Sequence, residues 1–327
     1  MKKIAIYVIL LTSLAATAQA QNNTDTLTTQ LRRYVARNFS EARTFNLYWE
    51  TSPAYDYTLK QNGNTLEKGE MKNINTVKFA ATIPVLQLRN FSLYANGQAS
   101  FYMFETFNNA NGLASSIFPD NGENYDYYKG TINATYHTKI GGKPLILNAN
   151  ISGDGWSKGF EKLQGTLSAI MVFRQSATTN FSVGFYGMTL FNQFPVLPII
   201  TYWHQFNPNL SIDITLPSKA YLRYQFLNKH RLSVGTSMES EQFYLKSGMD
   251  NLPEVCFYNK STIKSEIVYE YIINKRFYLI ARGGGIGTLK SGLYKTNRKG
   301  IDGDPYIEIS HPMAPFFNLG FSYNLFK

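Results

Sequence analysis

Three short stretches and four histidines of this 327-residue chain have residue types that could do chemistry. "GGIGTLKS" (Gly284 to Ser291) approaches the phosphate-cradling pattern G-x-x-x-x-G-K-[ST]. The residue before the lysine must there be glycine, so that backbone amides can reach a phosphate, and here it is Leu289. "STIK" (Ser261 to Lys264) has the S-x-x-K spacing of penicillin-recognising enzymes. That spacing works on a helix, whereas on a strand Ser261 and Lys264 point to opposite sides. "GIDGDPYIE" offers Asp302, Asp304 and Glu308 as oxygen ligands, without the donor spacing of a calcium loop, and reads as a turn. His137, His204, His230 and His311 fall in no H-E-x-x-H motif, and no G-x-S-x-G occurs. The residues argue against an enzyme, and they call for no metal and no cofactor.

A second group has no motif but shares a side. Asp213, Arg223, Arg231, Glu239, Glu241, Lys264, Glu266, Glu270, Arg276 and Arg282 fall on the polar side of alternating segments in the later part of the chain. Both signs of charge are present, so neighbouring strands can pair them across a ladder. Turning them away from lipid avoids roughly 2–4 kcal/mol for each Lys or Arg at a bilayer midplane. They are candidate lumen-lining residues, either as a constriction that selects solutes or as an ion-pair network that fills a narrow lumen. The first half of the polar side is mostly Ser, Thr, Asn and Gln, so a solute path there would be asymmetric in charge.

The elements that must position these residues are strands. From Asn73 onward the sequence alternates apolar and polar residues in segments near the roughly 9–11 residues that a tilted strand needs to cross a bilayer. In "VKFAATIPV" the apolar side is Val77, Phe79, Ala81, Ile83 and Val85; in "TINATYHTKI" it is Ile132, Ala134, Tyr136 and Ile140. About fourteen segments are counted, centred near residues 47, 80, 98, 132, 150, 168, 185, 201, 212, 223, 238, 267, 282 and 320; the pair around Pro217-Ser218 is short and the one near Thr201 has no clear facing, so twelve or sixteen also fit. Short connections rich in turn residues (Arg89-Asn90, Gly141-Gly142-Lys143, Asn207-Pro208, Asn228-Lys229, Asn274-Lys275) alternate with longer polar ones (Leu59 to Lys72, Asn108 to Glu123, Lys246 to Lys260, Lys290 to Pro305). Short turns on one rim and long loops on the other describe a transmembrane antiparallel up-and-down β-barrel, an all-β fold, with Tyr125, Tyr127 and Tyr128 expected in an interfacial belt.

Composition agrees. Tyr (23) and Phe (23) are abundant and charged residues make up only 17%, against roughly 25% in a soluble domain. The basic start Met1-Lys2-Lys3, the apolar run to Ala16 and Ala18-Gln19-Ala20 predict a cleaved signal peptide over 1–20 and therefore export. Leu27, Leu31, Tyr34, Val35 and Phe39 are spaced for one face of a short helix, so residues 21–41 read either as a periplasmic or plug segment or as a disordered leader, ahead of one barrel domain over 42–327. The only cysteine, Cys256, excludes an intramolecular disulfide framework. The net charge of +10 loses Lys2 and Lys3 with the leader, leaving +8, and its scattered placement in an exported chain argues against nucleic acid.

The chain ends on an alternating strand, "FFNLGFSYNLFK". Phe317, Leu319, Phe321, Tyr323 and Leu325 lie on one side, and Phe326 is out of phase before Lys327. This ending, the strand rhythm and "LSIDITLPSKAYLRYQFLNKHRLSVG" (Leu210 to Gly235) together resemble an uncharacterised family of Bacteroidota outer-membrane β-barrels. The strand count is also similar at fold level to the long-chain fatty-acid transporters of the outer membrane, which carry an N-terminal plug. The resemblance implies a place in the cell outer membrane of a Gram-negative bacterium, with lipid and lipopolysaccharide around the wall. It implies that the barrel-assembly machinery reads the terminal residues from Phe317 to Phe326 as its signal, and that Asp25-Thr26-Leu27 matches an O-glycosylation acceptor pattern. The expectation is a non-enzymatic pore or transporter for a small or amphipathic solute. The alternative is a structural or accessory barrel, closed inside, that binds a partner through its outer loops.

Overall fold

The computed structural model describes residues 40–107, 112–118, 124–188, 196–250, 252–274, 276–296 and 305–325. The expected leader, residues 21–39, Asp302, Asp304, Phe326 and Lys327 lie outside them. A single 3-10 turn (Ser40–Ala42) leads into β1 (Phe45–Ser52), β2 (Tyr55–Gln61), β3 (Asn64–Gln87) and β4 (Phe91–Phe107). A short helix α1 (Leu113–Ile117) precedes β5 (Asn124–Ile140), β6 (Lys143–Trp156), β7 (Gly159–Gln175), β8 (Thr179–Met188), β9 (Val196–Gln205), β10 (Leu210–Leu216) and β11 (Lys219–Phe226). The chain continues through β12 (His230–Lys246), β13 (Val255–Ile272), β14 (Phe277–Lys295), β15 (Ile307–Ser310) and β16 (Ala314–Tyr323).

All pairings are antiparallel and the ring closes, because β1 pairs with both β3 and β16. The sixteen segments make fourteen strands around the wall: β2 continues β1 beyond a break at Pro53-Ala54, and β15 continues into β16 through His311, Pro312 and Met313. Each of the fourteen expected centres falls in a separate strand of that ring. Closure leaves no unpaired edge for lipid to meet along the lower wall. No helix among the described residues is long and apolar enough to cross a membrane.

Alternation sorts the side chains. Leu47, Trp49, Phe79, Ile132, Ile151, Leu167, Phe185, Leu222, Ile267, Phe317, Leu319 and Phe321 are exposed on the outside, whereas Asn46, Glu50, Asn318 and Ser322, on the opposite parity of β1 and β16, are buried inside. Tight turns gather at one rim with Phe45 and Tyr323, as expected. The other rim departs from the expectation. Leu59 to Lys72 is not a loop but a hairpin of β2 and β3 turned at Asn62-Gly63, where φ is positive at both residues. Lys246 to Lys260 shortens to residues 247–254, and Asn108 to Glu123 contains α1. Ser157-Lys158 and Pro217-Ser218 are further tight turns on this rim.

Wall height is uneven. β8 to β11 have 10, 10, 7 and 8 residues, against 24 in β3 and 17 to 19 in β12 to β14. Above the ladder to β11, which ends at Lys219↔Ser237, β12 therefore has a bare edge. It turns inward and packs against β5 and β6. β12 and β5 are seven strands apart around the ring, so at about 4.8 Å per strand a round wall would hold them more than roughly 20 Å apart. Yet Phe243 stacks on Tyr125 at 4.8 Å, and Tyr244 donates a hydrogen bond to Asp154 of β6 at 2.8 Å. The Tyr102 hydroxyl accepts from the edge amide of Gln242. The barrel is closed and round below, and collapsed onto itself above.

The change of shape has a visible cause. β3 shifts register against β4 between Lys72 and Asn75, β1/β2 and β15/β16 break beside it, and β13 shifts against β14 between Ser261 and Thr262. Asn75 is paired with Thr51, and Ile286 with Ala314, so these irregularities form one line across adjacent strands. Bulges bend the strands that carry them, and a row of them folds a wall.

Candidate functional site

Nine of the ten expected lumen residues are on strands and join tiers of paired charge. Nearest the turn-rich rim, Glu270 accepts from Arg231 of the adjacent strand at 2.5 Å and from Arg43 at 2.6 Å. Arg43 follows the 3-10 turn, is fully buried and lies 3.7 Å above the ring of Tyr278, so the segment before β1 enters the lumen. Thr44 fastens it by accepting from the amide of Leu325.

In the next tier Tyr221 of β11 reaches over β12 to donate to Glu266 of β13. Gly235, between them in the ladder, makes this possible: a Cβ there would stand 2.7 Å from the Tyr221 ring and 2.0 Å from the Ala220 carbonyl. Arg282 stands 3.9 Å from Glu266 and 4.0 Å from Glu239, over the ring of Tyr48. Asp213 pairs with Arg223 at 2.8 Å and with Lys219 at 3.8 Å.

A third tier crosses the interior. Lys264 of β13 donates to Glu50 of β1 at 2.6 Å and to Glu239 of β12 at 3.0 Å, and Lys78 of β3 reaches Glu239 from the far side at 3.1 Å. Above it Glu241 lies 3.5 Å from Lys260, which donates to the Tyr55 hydroxyl at 3.0 Å. Arg276 stands apart. It is in the β13–β14 turn at the rim, where its amide bonds the Asn274 side chain.

The middle of the opposite wall is neutral, below Asp154 of β6. Asn133 donates to Asn150, Thr135 to Asn148, Asn148 to Ser168 and Asn150 to Thr166, a ladder of amides and hydroxyls across β5, β6 and β7. These side chains are half-buried, unlike the buried charges facing them. Above both walls the interior is filled by Tyr102, Phe104, Phe118, Tyr125, Phe243 and Tyr258, with α1 beneath the 247–254 loop, where the Gly248 amide bonds the Ser116 carbonyl. Glu67 accepts from the first amides of α1 and holds it there. The belt expected of the three tyrosines is thus corrected: Tyr125 and Tyr127 are buried in this cluster and only Tyr128 is exposed, because the collapsed wall turns the inner face of β5 into a core.

Between β1/β2 and β15/β16 the ladder of the wall is interrupted. Their ladder stops at Thr51↔Phe317 and resumes at Thr58↔Ser310, leaving residues 52–57 facing 311–316 without pairing. Behind this interval is a cavity of about 10 Å³ lined by Thr51, Ser52, Tyr55, Glu241, Lys260 and His311, among others. A second hollow, an open groove of about 560 Å³, is on the outer face among Ala134, Tyr136, Leu147, Ala149, Leu167 and Phe185.

Arg43, Glu50, Lys78, Lys219, Tyr221, Lys260 and His311 are absent from the expected set. Lys78 was within reach, since it alternates with Val77 and Phe79. Lys260 was hidden by placing its segment in a loop. The β13 pair "STIK" splits as a strand requires, with Lys264 buried and Ser261 on the other face.

A closed antiparallel barrel of fourteen strands, apolar outside and filled with paired charge within, is the class this fold and interior define. Within that class the chain belongs to the family described as Domain of unknown function (DUF6268), whose model matches residues 147–324. Comparison with curated proteins gives no significant match. Among solved structures the chain is similar to an outer membrane channel from Pseudomonas putida F1, at 8% identity and TM-score 0.41 over 86% of this chain and 95% of that one. It is similar also to a Pseudomonas aeruginosa FadL homologue, at 9% identity and TM-score 0.41 over 86% and 90%. A third is the Pseudomonas putida toluene transporter TodX, at 8% identity and TM-score 0.31 over 86% and 89%.

Proposed function

We propose that the protein is an exported, non-enzymatic barrel of a Gram-negative outer membrane that passes a small amphipathic solute, and that the solute enters through the side of the wall. The observation that supports this reading is the interval of residues 52–57 and 311–316, where adjacent strands part without pairing. Unpaired backbone is tolerated at a membrane only where it borders protein, water or polar headgroups, so the interval suits a mouth at the headgroup level. A straight path from the outer rim meets the aromatic cluster instead. Inside, the half-buried amide and hydroxyl wall offers a polar descent, opposite the buried charges.

Uptake of the fluorescent amphiphile N-phenyl-1-naphthylamine by cells producing the protein tests the reading. With Cys256→Ser as background, Ala54→Cys and Ala314→Cys would be joined by a short bifunctional thiol reagent. Dye entry is expected to fall to the level of cells without the protein and to return on reduction; entry unaffected by the bridge would sink the lateral path. The aromatic closure also favours a second reading, a barrel shut to solutes whose collapsed outer half binds a partner. In that case the unbridged protein admits no dye at all.

A further inference from the structure

The small cavity behind the parted strands is built for one polar group. Tyr55 and His311 come from opposite sides of the interval and meet edge to face, their ring centroids 5.2 Å apart. Neither ring nitrogen of His311 has a hydrogen-bond partner among the described residues, although both atoms are buried. Buried polar atoms are normally satisfied, so two ring nitrogens beside a cavity make it a place for a hydrogen-bonding group. The available volume, about 10 Å³, holds a group the size of one water.

Its chemistry is set by what surrounds it. Lys260 is already occupied by Tyr55 and by Glu241, so the cavity has no spare charge with which to hold an ion. A neutral imidazole presents one donor and one acceptor, and Ser52 and Thr51 add hydroxyls. A hydroxyl, which both donates and accepts, matches this set. Outside the interval Met313 is 72% exposed, and Trp49 and Phe317 are exposed below it, so an apolar body could lie against the wall while its head enters.

We propose that the cavity lined by His311, Tyr55 and Ser52 binds the hydroxyl head of a small amphiphile, an alcohol or phenol, whose apolar body stays among Met313, Trp49 and Phe317 at the outer surface. This rests on the lateral path proposed above and names its point of entry.

The test titrates 1-heptanol, with 1-chloroheptane as the headless control, into the histidine-labelled protein in lipid nanodiscs. Ring-nitrogen resonances locate binding and calorimetry measures affinity. The expected result is a saturable shift of the His311 resonance alone among the four histidines, no saturation with the chloride, and binding weakened about tenfold in His311→Phe, as loss of roughly 1.4 kcal/mol requires. His311→Gln, which keeps a donor and an acceptor, should bind more tightly than the Phe variant, and its heat-modifiable gel mobility would show that it folds. Shifts that rise linearly at all four histidines, equal saturation by the chloride, or unchanged affinity in His311→Phe would overturn the site. If dye uptake fails while His311 still saturates, the lateral transport reading falls and the site stands; if uptake holds without a His311 response, the reverse follows.

Discussion

Lys264 of β13 and Glu50 of β1 are on strands that do not touch, with β14 and β16 between them, yet the lysine Nζ lies 2.6 Å from the carboxylate. Both side chains are buried, so this pair ties the wall across its interior. Breaking it by removing one partner strands a charge. Lys264→Met is expected to destabilise the barrel by about 3–5 kcal/mol, while Lys264→Met with Glu50→Leu costs clearly less. Reversible urea unfolding from lipid vesicles measures both; equal losses in single and double variants would show that the pair is not coupled.

Glu270 holds two guanidinium groups, and the three members are not equivalent. Arg43→Ala leaves Glu270 with Arg231, and the loss should stay near one charged hydrogen bond, about 1.5–3 kcal/mol. Glu270→Gln leaves two buried cations facing each other and should cost more, about 3–5 kcal/mol. The same unfolding measurement ranks the two, and the reverse order would contradict the geometry.

Phe243 stacks on Tyr125 and on Tyr258, at 4.8 and 4.4 Å, at the centre of the outer closure. Phe243→Ala is expected to cost about 3–5 kcal/mol and to leave a void between the opposed walls. If the closure is what blocks the straight path, planar-bilayer recordings should show brief openings in the variant and a quieter wild type. A variant that is destabilised but equally silent would place the block elsewhere.

His311 is in the break between β15 and β16, outside the spanning strands. Burial, aided by Lys260 and opposed by Glu241, pushes its pKa down from 6.5 to about 3. Between those values the unfolded chain binds the proton and the folded chain does not, so folding stability rises with pH through this window. The contribution is complete above pH 6.5 and is lost as the pH falls towards 3. His311→Phe should flatten that part of the pH–stability curve relative to wild type; an unchanged slope would show that His311 does not titrate this way.

Much of this was legible from alternation alone, and particular residues show where it stopped. Phe317, Leu319 and Phe321 face outward and Asn318 and Ser322 inward because a strand has a fixed period of two, and each expected centre lies in its own strand, although the one near Thr201 has no clear alternation in the sequence. Phe243 and Tyr244 are consecutive, should face opposite sides, and are both buried. No period predicts that, since it follows from a bare strand edge turning into the lumen. Arg43 was equally hidden, having no strand to give it a side.

The sequence by itself determined the strands, their facing, their approximate number and the residues whose charge had to be kept from lipid, because these are local consequences of side-chain period and turn chemistry. Only the tertiary structure decided that the outer half collapses, that Lys264 meets Glu50, and that the first and last strands part beside His311. Those facts depend on how unequal strand lengths and a line of register shifts close around a ring, and residues more than two hundred positions apart become neighbours only after closure.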